Sequence, residues 1–165
     1  MHDLTHLMKE KQENIQASIL DRLIDREPQL SRESVRYHLL NFSQIKAAVI
    51  RDLESLLNAK SQIMPVPPAY KEVNDSVFVY GLSDFTSHNP KSPSVRHLLR
   101  QDIEKTISKF ESRLKNVTVH IEAPNEEVRT IRLRITALLV LDPVAEPVTF
   151  DTFFDINKGE YTIRR

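Results

Sequence analysis

Glu111-Ser112-Arg113 is the segment whose charges are most tightly constrained by their neighbours. Phe110 and Leu114 flank it as core anchors, and the preceding apolar positions make it the end of a helix. An arginine there suits the negative end of the helix dipole, whereas a glutamate opposes it and needs a partner. Glu111 and Arg113 are therefore read as a specific pairing site for protein contact. Arg132 and Arg134 form, with Arg129, a basic strip on the outward face of a strand. Strips that bind single-stranded nucleic acid interleave aromatic side chains, and this one has none. Protein contact, or a cross-strand pair with Glu122, is the expectation for it.

The other candidates for chemistry are poorly spaced. Glu104 and Glu111 stand seven apart on one helical face, roughly 10 Å by helix rise. That lies outside the separations that retaining or inverting glycosidases use. Asp151 and Asp155 project from one strand face beside Phe153, as solvated strand residues do. His2 and His6 share an i, i+4 face without an arranged third ligand, so no metal site is expected. His120 falls on the solvent side of its strand. No Ser, His and Asp set has triad spacing. Cysteine is absent, which removes thiolate catalysis and Cys-ligated zinc. The two glycines, Gly81 and Gly159, are far apart, so neither a P-loop nor a dinucleotide fingerprint can form. The expectation is a protein that is not an enzyme and carries no cofactor.

The chain has 165 residues, with 23 Lys plus Arg against 23 Asp plus Glu. A balanced charge argues against nucleic acid as the main partner. The N-terminus lacks the apolar core of a signal peptide, and the longest apolar run, Ala137 to Leu141, cannot span a bilayer. The expected location is the cytoplasm, with no membrane insertion. One domain over residues 1–165 is expected, with 1–30 as a peripheral helix.

The elements that must position these residues follow from periodicity. A first helix is expected over about Leu4 to Asp25, ended by Pro28. A second covers about Ser31 to Ala59, with Asn41 and Ser43 as places where it breaks and restarts. Pro65, Pro67 and Pro68 make an extended connector. Val77 to Tyr80 is a short apolar piece ended by Gly81. The clearest helix starts at Ser92 or Ser94 and carries Val95, Leu99, Ile103, Ile107, Phe110 and Leu114 on one face. After it come strands. Val117, Val119 and Ile121 alternate with polar residues, as do Ile131, Leu133 and Ile135. Pairing odd with odd positions keeps arginines out of the core and requires an odd loop, such as Asn125 to Glu127. A second hairpin pairs Val148 to Ile156 with Glu160 to Arg165, and Gly159 supplies the turn's positive φ. From Ala137 to Leu141 both strand faces are apolar, so the second face needs a cover. The fold class is α+β: N-terminal helices and a central helix packed on a small, mainly antiparallel sheet of C-terminal hairpins.

Four stretches, in order, resemble one family. They are Ile19-Leu20-Asp21-Arg22-Leu23 with Pro28, Ile50 through Asn58, Ser76 through Phe85, and Glu146 through Thr152. The set is similar to the TssE family of type VI secretion baseplate subunits, related to phage tail wedge proteins labelled lysozyme-like. The family has Glu-Pro-Arg where this chain has Glu111-Ser112-Arg113. The resemblance implies a structural part of the baseplate wedge, with other wedge subunits and the contractile sheath as partners. It also implies that the C-terminal strands extend a sheet shared with sheath components. The lysozyme-like label implies a peptidoglycan hydrolase as the alternative, and a generic cytoplasmic adaptor is the third reading.

Overall fold

A computed structural model describes residues 15–16, 23, 29, 39–40, 42–62, 64, 66–85, 92–122, 130–141 and 144–164. The chain divides into two compact units, Met1–Val49 and Ile50–Arg165. In the first, β1 (Ile15–Gln16) pairs antiparallel with β2 (Leu39–Leu40). Helices were expected at both places. The pairing engages the backbone groups that a helix would have used, and a two-residue strand leaves no alternation for a sequence reader to see. Helix α1 accordingly begins at Phe42, and it ends at Asn58. His2, His6 and most of the expected first helix lie outside the described residues.

The second unit holds the end of α1, the short helix α2 (Lys71–Asn74), a 3-10 turn at Val77–Val79, helix α3 (Pro93–Phe110) and the sheet. The sheet is β3 (Leu114–Ile121), β4 (Thr130–Leu141), β5 (Val144–Asp155) and β6 (Glu160–Ile163), antiparallel in sequence order. Helices beside a C-terminal antiparallel sheet make the α+β class expected. Val119 faces Ile135 and Ile121 faces Leu133, so odd pairs with odd. Ile131, Leu133, Ile135, Ala137, Leu139 and Leu141 are all buried, while Arg132 and Arg134 stay exposed. A one-residue slip would have reversed every one of these positions. The β3–β4 ladder shifts register between Lys115 and Thr118, where Asn116 takes φ 54. Asparagine is among the residues that tolerate that region best.

The second hairpin starts earlier than expected, because β5 pairs with β4 along the whole of Val144–Asp155. Ile156 lies in the turn and is exposed, not on the core face with Phe150. Gly159 has φ 68 in that turn, and Asp155 accepts from the amides of Asn157 and Lys158. Gly81 has φ 102, and a Cβ there would stand 2.5 Å from the Ala59 carbonyl oxygen. This approach lets Leu82 donate to Ala59 and accept from Ser61, tying the connector to the end of α1.

Side chains of α1 occupy the outer edge of β6. The Asn58 amide accepts from the Tyr161 N–H at 2.7 Å and donates to the Tyr161 carbonyl at 2.9 Å. Glu54 accepts from the Ile163 N–H at 2.8 Å. The spacings match: one i, i+4 step of a helix rises about 6 Å, and two strand residues span about 6.7 Å. A helix face thus replaces a fifth strand, and an edge that would template association is closed. Replacing Asn58 with leucine removes both partners of Tyr161 and should cost about 2 kcal/mol. Hydrogen exchange at the Tyr161 amide should speed up more than at Val119, on the other side of the sheet. Equal exchange at Tyr161 in both proteins would contradict the capping role.

Candidate functional site

Helix α3 packs on β3, with Leu99, Ile103 and Ile107 buried along one face. It ends at Phe110, whose ring meets Tyr80 edge-on at 5.2 Å. The Glu111 amide makes the last helical bond, to Ile107. Its carbonyl then accepts from Leu114, closing a four-residue turn into β3. Ser112 occupies the second position of that turn, where proline is favoured. The turn therefore forms without the proline of the Glu-Pro-Arg pattern, held by side-chain bonds.

Those bonds converge on Arg113. Its Nε donates to Glu111 Oε1 at 2.7 Å and its terminal nitrogen to Glu111 Oε2 at 2.5 Å, a two-pronged pair. The same terminal nitrogen reaches Asp52 Oδ2 on α1 at 2.5 Å. The Arg113 amide also donates to Glu111 Oε1. Asp52 accepts in addition from Arg51 at 2.8 and 3.0 Å. Glu111 is buried, at 6% exposure, despite its charge. Burial of an ion is tolerable when geometry and hydrogen bonds are as complete as this. Burial lowers the Arg113 pKa, but its hydrogen bonds and charge pairing with Glu111 and Asp52 outweigh that, and the net direction is upward. Burial and then the charges of Asp52 and Glu111 raise the pKa of Tyr80 beside the cluster.

Arg132 and Arg134 do not join this cluster. Arg134 pairs with Asp151 at 3.1 Å on the exposed face, directly across the β4–β5 ladder. Arg132 lies over the Phe153 ring at 5.8 Å. Glu122 joins Arg132 through backbone, its amide donating to the Arg132 carbonyl. Arg129 is outside the described residues. Of the other carboxylates weighed for chemistry, Glu104 accepts from the Val119 amide at 2.9 Å and Asp155 caps its turn. No group of three or more His, Asp or Glu side chains among the described residues is placed to hold a metal.

Spacing points to Glu111 and Arg113 but not to their partner Asp52, nor to Glu54 and Asn58; Glu104, weighed only as half of a hydrolase pair, serves the β3 backbone instead. Glu54 and Asn58 share a helix face one turn apart, which is the only local signal they carry. An amide edge 103 and 109 residues away cannot be read from either of them.

The pattern of the family described as baseplate wedge protein gp25 matches residues 43–144, well over half of the chain. This chain belongs to the baseplate wedge protein gp25 family. The gp25 match takes in Asp52, Glu111, Arg113, Arg132 and Arg134, and it reaches the start of β5. Among solved structures, the fold resembles one chain of a structure titled the baseplate complex from the type VI secretion system. The two are 18% identical with a TM-score of 0.45, over 67% of this chain and 94% of that one. No curated protein matches the chain.

The tyrosines give this family member a testable alkaline response. Burial and then Asp102 raise Tyr161 well above its ordinary value, and burial, then Asp52 and Glu111, raise Tyr80. A tyrosine in the unfolded chain ionises near 10, so rising pH there draws the equilibrium toward unfolding. Stability should be insensitive to these groups below about pH 9 and fall from about pH 10 upward. Tyr161→Phe should flatten that fall more than Tyr80→Phe. Parallel denaturation curves against pH for all three proteins would refute the assignment.

Proposed function

We propose that this chain is a structural subunit of a type VI secretion baseplate wedge, docking to other wedge subunits and to the contractile sheath without catalysing a reaction. Membership of the baseplate wedge protein gp25 family is the observation that carries this reading. The carboxylates weighed for hydrolysis are engaged in the fold: Glu111 by Arg113, Glu104 by the Val119 amide, Asp151 by Arg134, Asp155 by the amides of its turn. No helix among the described residues is long and apolar enough to cross a membrane. The proposed setting is the cytoplasmic face of the cell envelope.

Two surfaces serve docking in this reading. Arg132 and Arg134 stand on the exposed sheet face, held by Phe153 and Asp151, so little side-chain freedom is lost on contact. Beside them, near the start of β5, Leu138 is half-buried while Val140, Ala145 and Pro147 are exposed. This is the second apolar face of the Ala137–Leu141 run. It adjoins a length of β5, Val144–Phe150, beyond the reach of β6. An extended strand of a sheath component would add there, with backbone bonds giving affinity and the apolar corner giving contact area. Glu111 and Arg113 enter docking through the elbow they hold, since Glu111 is buried and Arg113 mostly so.

Purified chain should capture separately prepared baseplate and sheath subunits of the same system. Arg132→Gln with Arg134→Gln should weaken capture at least tenfold while costing no more than about 1 kcal/mol of stability, since only an exposed ion pair and an exposed cation–π contact are lost. Undiminished capture by that variant would remove the basic strip from the interface. Cleavage of peptidoglycan by the purified chain would overturn the non-catalytic reading.

A further inference from the structure

No strand among the described residues covers the Val144–Phe150 segment of the β5 edge, and the chain places a proline in it. Arg164 donates its amide to the Asp151 carbonyl, on the β6 side of β5. Backbone groups alternate sides along a strand. The residues of β5 aimed toward that side are therefore the odd ones: Ala145, Pro147, Thr149 and Asp151. The even ones face β4: the bonds of Val140 and Arg132 to the β3 side leave the odd residues of β4 aimed at β5, and Ile135 and Ala137 stand opposite Phe150 and Val148. Strand β6 covers only Thr152–Asp155, with Arg164 extending the cover to Asp151. Over Val144–Phe150 no bond from the described residues reaches the outward groups.

Pro147 thus sits where its missing N–H costs the β4–β5 ladder nothing, and where it removes a donor from the middle of the open edge. The same face carries the exposed apolar side chains of Val140 and Ala145, and the chain has no net charge. Open edge, apolar corner and balanced charge together favour edge-to-edge pairing of two copies. We propose that Pro147 is the residue that excludes a second copy of this chain from the β5 edge while leaving that edge usable by a different strand. Symmetry is the reason. Two copies joining antiparallel through this edge are related by a two-fold axis, so each missing donor occurs twice. With Pro147 opposite Pro147, both central hydrogen bonds vanish. With Pro147 opposite Ala145 or Thr149, one carbonyl on each copy is left without a donor. A strand of another protein meets only one proline, and leaves one carbonyl to water at an exposed edge.

Self-exclusion at this edge depends on its geometry and not on which baseplate or sheath subunit occupies it. Failure to bind those partners would leave it intact. Pro147→Val and Pro147→Ala each restore the outward N–H, and alanine does so without adding apolar bulk. Sedimentation equilibrium over a concentration series reads the result. Either variant should self-associate about 30-fold more tightly than the wild type, the effect of two restored hydrogen bonds. Adding Thr149→Pro, which moves the missing donor to another outward position, should return the association to the wild-type level. Unchanged association in both single variants would overturn the proposal. Tighter association that persists with Thr149→Pro would also overturn it, since the contact would then lie away from this edge.

Discussion

The guanidinium of Arg113 is the interaction on which the rest of the second unit depends. It stands at the corner where α3 turns into β3, and it joins Glu111 of that corner to Asp52 of α1. A glutamate at a helix C-terminus faces the negative end of the dipole, and here it is buried as well. Only a rigid two-pronged donor makes that placement tolerable, and lysine, a single point charge, would not substitute. Asp52 in turn fixes the azimuth of α1 at its second-unit end. From that orientation Glu54 and Asn58 point at the outer edge of β6. One ion cluster thus sets both the entry to the first strand of the sheet and the closure of its last.

A functional consequence follows from where the charges are used. Acidic side chains of the second unit hold backbone and helix ends in place. Glu104 meets an amide of β3, Glu54 an amide of β6, and Glu111 the guanidinium at the corner. Among the described residues, the surface these bonds leave exposed includes the Val144–Phe150 edge, the apolar corner around Val140, and the two arginines held by Phe153 and Asp151. This distribution suits a subunit whose work is to hold position within a larger structure.

The sheet was legible because its pattern is local. Alternation over Ile131–Leu141 fixes which side is buried, and parity alone demanded that odd positions face odd. Helix α3 was legible for the same reason at a period of 3.6. Elements shorter than one period were not. Ile15–Gln16 and Leu39–Leu40 pair with each other as strands of two residues, and the Val77–Val79 turn is too brief to show any period. The site was half legible. An acidic residue at the wrong end of a helix announces that it has a partner, which pointed to Glu111 and Arg113. Asp52 was hidden because it lies 61 residues away in sequence, on the polar flank of an ordinary amphipathic helix.

A double-mutant cycle between Asp52 and Arg113 tests the central claim most directly. Asp52→Asn, Arg113→Met and the double variant would be compared with the wild type by denaturant unfolding. If Arg113 bridges α1 to the α3–β3 corner, the sum of the two single effects should exceed the effect of the double variant, by a coupling of about 1–3 kcal/mol. Additivity to within about 0.3 kcal/mol would mean that the two groups do not act together, and the corner would have to be held by packing alone.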